Sequence, residues 1–391
     1  MPTTAEVFLD RLVAEPSVSA APSAPIVATV LELADPAPDE VMRHDYDAGR
    51  KSNLLLMRGP RLDDLDNPAP DRPAGLTLSG HLDVVPADEP DWRGDPWRLT
   101  DLGDRWAGRG TSDMKGFVAL ALDRFRRLDP NSMTAPLALL LTADEEVGSI
   151  GAQRWVAERP DTPLPRQVVI GEPTQLTAVR MHKGHLRLRL ELAGHAAHSG
   201  YPHRGANAIE PAGPALVALA ALRRELEAQS HPAAEHFPEV PFVTLNVGRI
   251  AGGVATNVVP DRCTLDIGLR PLPGDTSEAL IERLEAVLSG ALEGVDWSLA
   301  IDNDSPPLRT RPEAPLFGAL RDLLGQTADP GVGFSSDGGT LARRGLDCVL
   351  FGPGSIEVAH KANESLPKDQ FERAGAVLDD LIERFCGARP A

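Results

Sequence analysis

Four short apolar runs constrain this chain more than any other feature. They are residues 75–79 (GLTLS), 136–141 (PLALLL), 167–170 (QVVI) and 348–351 (CVLF). Each is bounded by glycine or proline. Runs of this length and pattern read as strands buried on both faces of a sheet. Helical periodicities lie among them, at 117–128 (FVALALDRFRRL) and 374–385 (AGAVLDDLIERF). The alternation predicts an α/β fold, with a mixed, mostly parallel sheet flanked by helices.

The middle of the chain changes character. Residues 186–192 (LRLRLEL) alternate apolar and charged side chains, as a half-exposed strand does. A long amphipathic helix is expected over 205–228, strands over 243–250 and 263–269, and a further helix over 277–288. This order suits a small α+β domain inserted into the larger one. The expected division is 1–180 with 296–391 for the catalytic domain and 181–295 for the insert. Residues 60–74, rich in Pro and Asp, read as a surface loop.

Composition excludes some functions. The chain has 391 residues, 42% hydrophobic and 25% charged, an ordinary globular balance. Its net charge of -18 repels phosphate backbones, which argues against nucleic-acid partners. The 3 cysteines form no Cys-x-x-Cys pair and are odd in number, so neither a disulfide framework nor a cysteine zinc site is expected. The N-terminal residues lack a basic stretch leading into an apolar one, and no apolar run is long enough to span a bilayer. A cytoplasmic protein without a membrane partner is the expectation.

The chemistry lies just beyond the apolar runs. The first leads to His81 and Asp83, the second to Glu145 and Glu146, and the third to Glu172. The fourth leads through a glycine-rich turn to His360, and Asp113 lies in a turn before the helix at 117–128. Parallel α/β sheets bind ligands beyond the carboxyl ends of their strands. Singly, each motif is weak: paired glutamates usually form a solvated turn, and Asp113 by itself reads as a helix cap. Together, five elements deliver metal-type side chains to one edge. Two imidazoles and three carboxylates suit zinc, with cobalt or manganese as substitutes. Five ligands exceed one open catalytic site and fit two ions roughly 3.5 Å apart that share a carboxylate. His81 and Asp83, two residues apart, share a face, so the Asp83 carboxylate is placed to accept from the far nitrogen of His81.

These residues closely resemble the zinc-dependent family of acetylornithine deacetylase, succinyl-diaminopimelate desuccinylase, aminoacylase and glutamate carboxypeptidase. The matching blocks span nearly the whole chain: SGHLDVVP (79–86), GRGTSDMKG (108–116), TADEEVGS (142–149), GEPT (171–174), HSGYPHRGANAI (198–209), GGVATNVVPDRC (252–263), LRPLP (269–273) and FGPGSIEVAHKANE (351–364). Within the family, HKGH at 182–185, RGANAIE at 204–210 and GPGSI-x-x-AH at 352–360 look most like acetylornithine deacetylase. The resemblance implies that His81 and Glu172 hold one zinc, Glu146 and His360 hold the other, and Asp113 bridges them. It implies Glu145 as general base and Asp83 as the residue that orients His81. It further implies that the insert forms a homodimer and a lid, and that His198 on it reaches the partner's active site. Asn257 and Arg270 match residues that hold substrate polar groups and a carboxylate.

The substrate so implied is a small N-acyl amino acid, foremost N-acetylornithine. Acetylcitrulline, succinyl-diaminopimelate or a dipeptide remain alternatives, as does a metal-free binding protein on the same scaffold, although all five ligand positions are filled. The segment 334–339 (FSSDGG) departs from the Thr-Glu-Ala type of segment usual in acetylornithine deacetylases. Ser336 or Asp337 is the expected substrate contact there.

Overall fold

Leucine-rich stretches become the strands of a six-stranded sheet in the computed structural model, which describes residues 2–62 and 74–390. Most of the loop read at 60–74 lies outside the described residues. The strand order is Glu40–Tyr46, Lys51–Arg58, Leu137–Thr142, Leu76–His81, Gln167–Ile170 and Asp347–Leu350. The last four run parallel, and the first two join antiparallel at one edge. Strands Leu76–His81, Leu137–Thr142, Gln167–Ile170 and Asp347–Leu350 are buried along their whole length, as strands covered by helices on both faces are. Each leucine so buried contributes about 1.5–3 kcal/mol.

Helices Gly116–Arg127 and Lys368–Cys386 pack on each other and on strand Leu76–His81. Helices Ile150–Glu158 and Asp337–Ala342 also pack together, the first against strand Lys51–Arg58 and the second against Asp347–Leu350. The registers His81↔Thr142, Ser79↔Ile170 and Leu350↔Ile170 align the carboxyl ends of the parallel strands along one edge.

The chain divides into two units. The first comprises Met1–Arg180, Thr310–Asp329 and Ser336–Ala391, and the second Met181–Arg309 with Pro330–Ser335. The seam read near residue 295 falls before strand Trp297–Ser305, whose pairing with His185–Ala193 carries the second unit on to Arg309. That unit is an antiparallel sheet in the order Thr244–Gly252, Arg262–Arg270, His185–Ala193, Trp297–Ser305. Leu186, Leu188, Leu190 and Leu192 fill its inner face against helices Ala212–Ala228 and Ser277–Ala291. The first of these helices starts later than its periodicity suggests. Pro211 takes the N-cap position, where its missing N–H costs nothing; Ala206 bridges His195, and residues 208–211 form bends and turns. Among the described residues, no helix is long and apolar enough to cross a membrane.

Candidate metal centre

The sheet edge gathers the titratable residues of the first unit. His81 ends its strand with the ring buried, and its Nε2 lies 2.9 Å from Asp113 Oδ1. The other oxygen of Asp113 is 3.3 Å from His360 Nε2, which is 2.9 Å from Glu146 Oε2. His81, Asp113 and Glu146 each offer a ligand atom within 4.8 Å of the others. Glu172 is buried just beyond strand Gln167–Ile170. Gly171 permits this approach, because a Cβ there would sit 2.0 Å from the Phe117 ring. Asp113 lies in the turn Thr111–Lys115, entered through Gly110 at φ 80°, a left-handed conformation that favours glycine.

Asp83 acts differently from its expected role. The Nδ1–H of His81 donates to the Asp83 main-chain carbonyl at 2.9 Å, while the Asp83 carboxylate lies 3.8 Å away. That carboxylate instead accepts from the backbone N–H groups of Glu145 (3.1 Å) and Glu146 (3.2 Å), and from the Ser19 hydroxyl (2.8 Å). The strand ends after His81, so Asp83 turns towards the loop of the next strand. The Glu145 carboxylate accepts from the Ser149 hydroxyl at 3.3 Å.

Three further residues, none given a role by the sequence, hold the same loop. Asp144 takes a left-handed backbone with φ 59° and is buried. Its carboxylate pairs with Lys51 Nζ at 2.6 Å and accepts from the Tyr46 hydroxyl at 3.0 Å. Tyr46 and Lys51 flank a turn between two strands; only the run Asp144-Glu145-Glu146 hints at a third acidic role.

The expected substrate contact at Ser336 is not made available. Ser336 is fully buried, and its hydroxyl accepts from Gly338 N–H at 3.1 Å to start the short helix Asp337–Ala342. The neighbouring Asp337 is buried as well and accepts from the Thr142 hydroxyl at 2.6 Å.

The second unit carries the other predicted residues. His198 is exposed on the two-residue strand Ala197–His198, paired with Val258–Val259. Its Nδ1 accepts from Gly200 N–H at 3.0 Å, and Ser199 N–H donates to the Asn257 carbonyl at 2.9 Å, so His198 and Asn257 share one local structure. Arg270 ends strand Arg262–Arg270 opposite Thr244.

The donors of the first unit fit divalent cations. Burial, with the charge of Asp113, pushes the Glu146 carboxyl up to about 7. Burial and Asp113 also hold Glu172 well above the usual carboxylate range. Burial raises Glu145 strongly against the opposing pull of His81. Hydrogen bonds to Asp113 and Glu146 lift His360 to about 10. So many buried carboxylates repel one another, and a bound cation would neutralise them and displace their protons. Imidazole and carboxylate donors without thiolate suit zinc, cobalt or manganese.

Comparison with known proteins gives the family and the fold. The model of peptidase family M20/M25/M40 matches residues 77–384. An acetylornithine deacetylase of Yersinia pseudotuberculosis is 35% identical over 389 residues, covering 96% of each chain. An M20 family metallo-carboxypeptidase from Sulfolobus solfataricus superposes with a TM-score of 0.74 at 19% identity, covering 98% of this chain and 99% of that one. A dinuclear metal binding peptidase of the M20 family from Bacillus subtilis superposes with a TM-score of 0.64 at 13% identity, covering 96% and 95%. The two superpositions show the shared fold.

Proposed function

This chain belongs to peptidase family M20/M25/M40, and on that premise we propose that it removes the acetyl group from N-acetyl-L-ornithine, yielding L-ornithine and acetate for arginine biosynthesis. The broader class is that of a metallo-amidohydrolase. One observation carries the reading: His81, Asp113, Glu146 and His360 meet within hydrogen-bond distance at the sheet edge, with Glu172 buried and Glu145 half-buried near them.

In this reading His81 and Glu172 would hold one zinc ion and Glu146 and His360 a second, with Asp113 a ligand common to the two. Bound zinc supplies Lewis acidity towards the amide carbonyl and towards water. Glu145 takes the proton of the attacking water and delivers it to the departing amine. Its raised pKa suits a carboxylate that must hold a proton between these two steps. Asp83 sets the backbone of Glu145 and Glu146 through two N–H groups. Arg270 clamps the α-carboxylate with its planar fork, and Asn257 holds a polar group of the substrate. His198 donates to the carbonyl oxygen as negative charge develops there.

The second unit serves as the dimerisation domain of a cytoplasmic homodimer. Its sheet ends on the edge strand Thr244–Gly252, and Ile250, Val254 and Val217 are 50%, 88% and 70% exposed. An unpaired edge beside exposed aliphatic residues favours association with a second copy.

The test is a substrate panel read as kcat/KM with zinc content measured on the same protein. N-acetylornithine is expected to lead acetylcitrulline, succinyl-diaminopimelate and a dipeptide. Much faster turnover of another member would reassign the substrate and leave the chemistry in place. Neither bound metal nor metal-restored hydrolysis would reject the enzyme reading altogether.

A further inference from the structure

We propose that Arg109 and Glu364 form a buried ion pair that positions the metal-binding loops, a role for two residues that touch no expected ligand atom. The inference rests on the metallohydrolase reading above.

Glu364 lies four residues beyond His360 and is 1% exposed. Both of its oxygens point into the turn that carries Asp113. Oε1 accepts from Ser112 N–H at 2.8 Å and from Asp113 N–H at 3.0 Å, and Oε2 accepts from Gly110 N–H at 2.9 Å. Three backbone donors around one carboxylate form an anion nest. The peptide of Asp113 itself is therefore anchored from the loop that holds His360.

Arg109 completes the pair and reaches a third loop. Its side chain is also 1% exposed. Nη1 donates to Glu364 Oε2 at 3.0 Å and to the Lys361 carbonyl at 3.3 Å. Nη2 donates to the Pro86 carbonyl at 3.0 Å and to Glu89 Oε1 at 2.6 Å. Pro86 continues the segment that starts with His81 and Asp83. The guanidinium fork thus ties together the segments bearing His81, Asp113 and His360, which are far apart in sequence.

A buried ion pair is weak evidence for stability, since desolvation cancels much of its attraction. Hydrophobic residues would hold a loop as well. What a carboxylate with three N–H donors and an arginine fork shared between two loops adds is direction: each bond fixes an angle as well as a separation. Metal sites need that precision, and residues that orient ligands typically alter metal affinity by roughly 10–100-fold when replaced.

Glu364→Gln is the informative change. It keeps the shape, yet it turns an amide NH2 against backbone N–H donors on one side or the other. Arg109→Lys keeps a buried cation without the fork and serves where Glu364→Gln does not fold. For each purified metal-free variant, the melting temperature and circular dichroism establish folding. Zinc affinity by chelator competition and the visible spectrum of the Co2+-loaded protein then read the site directly. Folded variants are expected to bind zinc roughly 10–100-fold more weakly, with an altered Co2+ spectrum. Folded variants with unmutated zinc affinity and Co2+ spectrum, even at a lower melting temperature, would overturn the positioning role. An unmutated protein that binds no zinc would instead overturn the functional reading, and the inference with it.

Discussion

Glu145 and Glu146 are neighbours in sequence with different surroundings. Glu146 meets His360, whereas the Glu145 carboxylate is half-buried, accepts from the Ser149 hydroxyl and feels the charge of His81. If Glu145 moves protons and Glu146 holds metal, their alanine variants should fail in different ways. Glu145→Ala is expected to lower kcat by about 10²–10⁴-fold or more with zinc content unchanged. Glu146→Ala is expected to lose zinc as well, read by elemental analysis of the purified protein. Loss of zinc in Glu145→Ala would assign it as a ligand instead. At this scale the residue types are legible without the fold: imidazole and carboxylate beyond the strand ends can be read directly. The partner of each is not. Spacing puts the Asp83 carboxylate at His81, yet it serves the N–H groups of Glu145 and Glu146, because that pairing depends on how two distant loops meet.

Each buried strand ends where an unpaired backbone must turn, and there the chain places its ligands. The second unit places histidines at a strand end in a different sheet. His182, just ahead of strand His185–Ala193, is fully buried; its Nδ1–H donates to the Lys183 carbonyl at 2.9 Å, and burial followed by the nearby Arg270 charge brings its pKa down to about 4. His185 is lowered to about 4 for the same two reasons. A histidine whose folded pKa lies below its unfolded value binds more protons when unfolded. Its contribution is therefore present above the unfolded pKa near 6.5 and is lost as pH falls towards 4. Melting temperatures of the unmutated protein and of His182→Gln should converge as pH drops through that window. A constant difference between pH 7 and 4 would show that His182 charges without cost. The strand itself is readable from alternating leucines. The depressed histidine is not, because burial beside Arg270 arises only when strand Arg262–Arg270 is in place.

At the scale of the whole molecule, the proposed homodimer makes a prediction that no single unit can. If His198 acts in the partner's active site, His198→Ala should reduce kcat with little loss of zinc. Mixed dimers of His198→Ala and Glu145→Ala subunits should then regain part of the activity, because one site of each mixed dimer holds both residues intact. No recovery after subunit exchange, verified by differential tagging, would confine His198 to another role. The fold class needs only the sequence: short, mostly apolar runs separated by helical periodicity admit few architectures other than a parallel sheet under helices. The presence of a second unit is equally plain from the switch to alternating strands, but its end at Arg309 depends on the pairing of strand Trp297–Ser305. The positioning groups are decided by tertiary structure alone. Asp144 is directed by Lys51 and Tyr46, and Glu364 by the amides of a turn some 250 residues earlier. Periodicity and spacing are local properties of a chain, and hydrogen bonds that orient a site join segments whose separation in sequence carries no trace of their meeting.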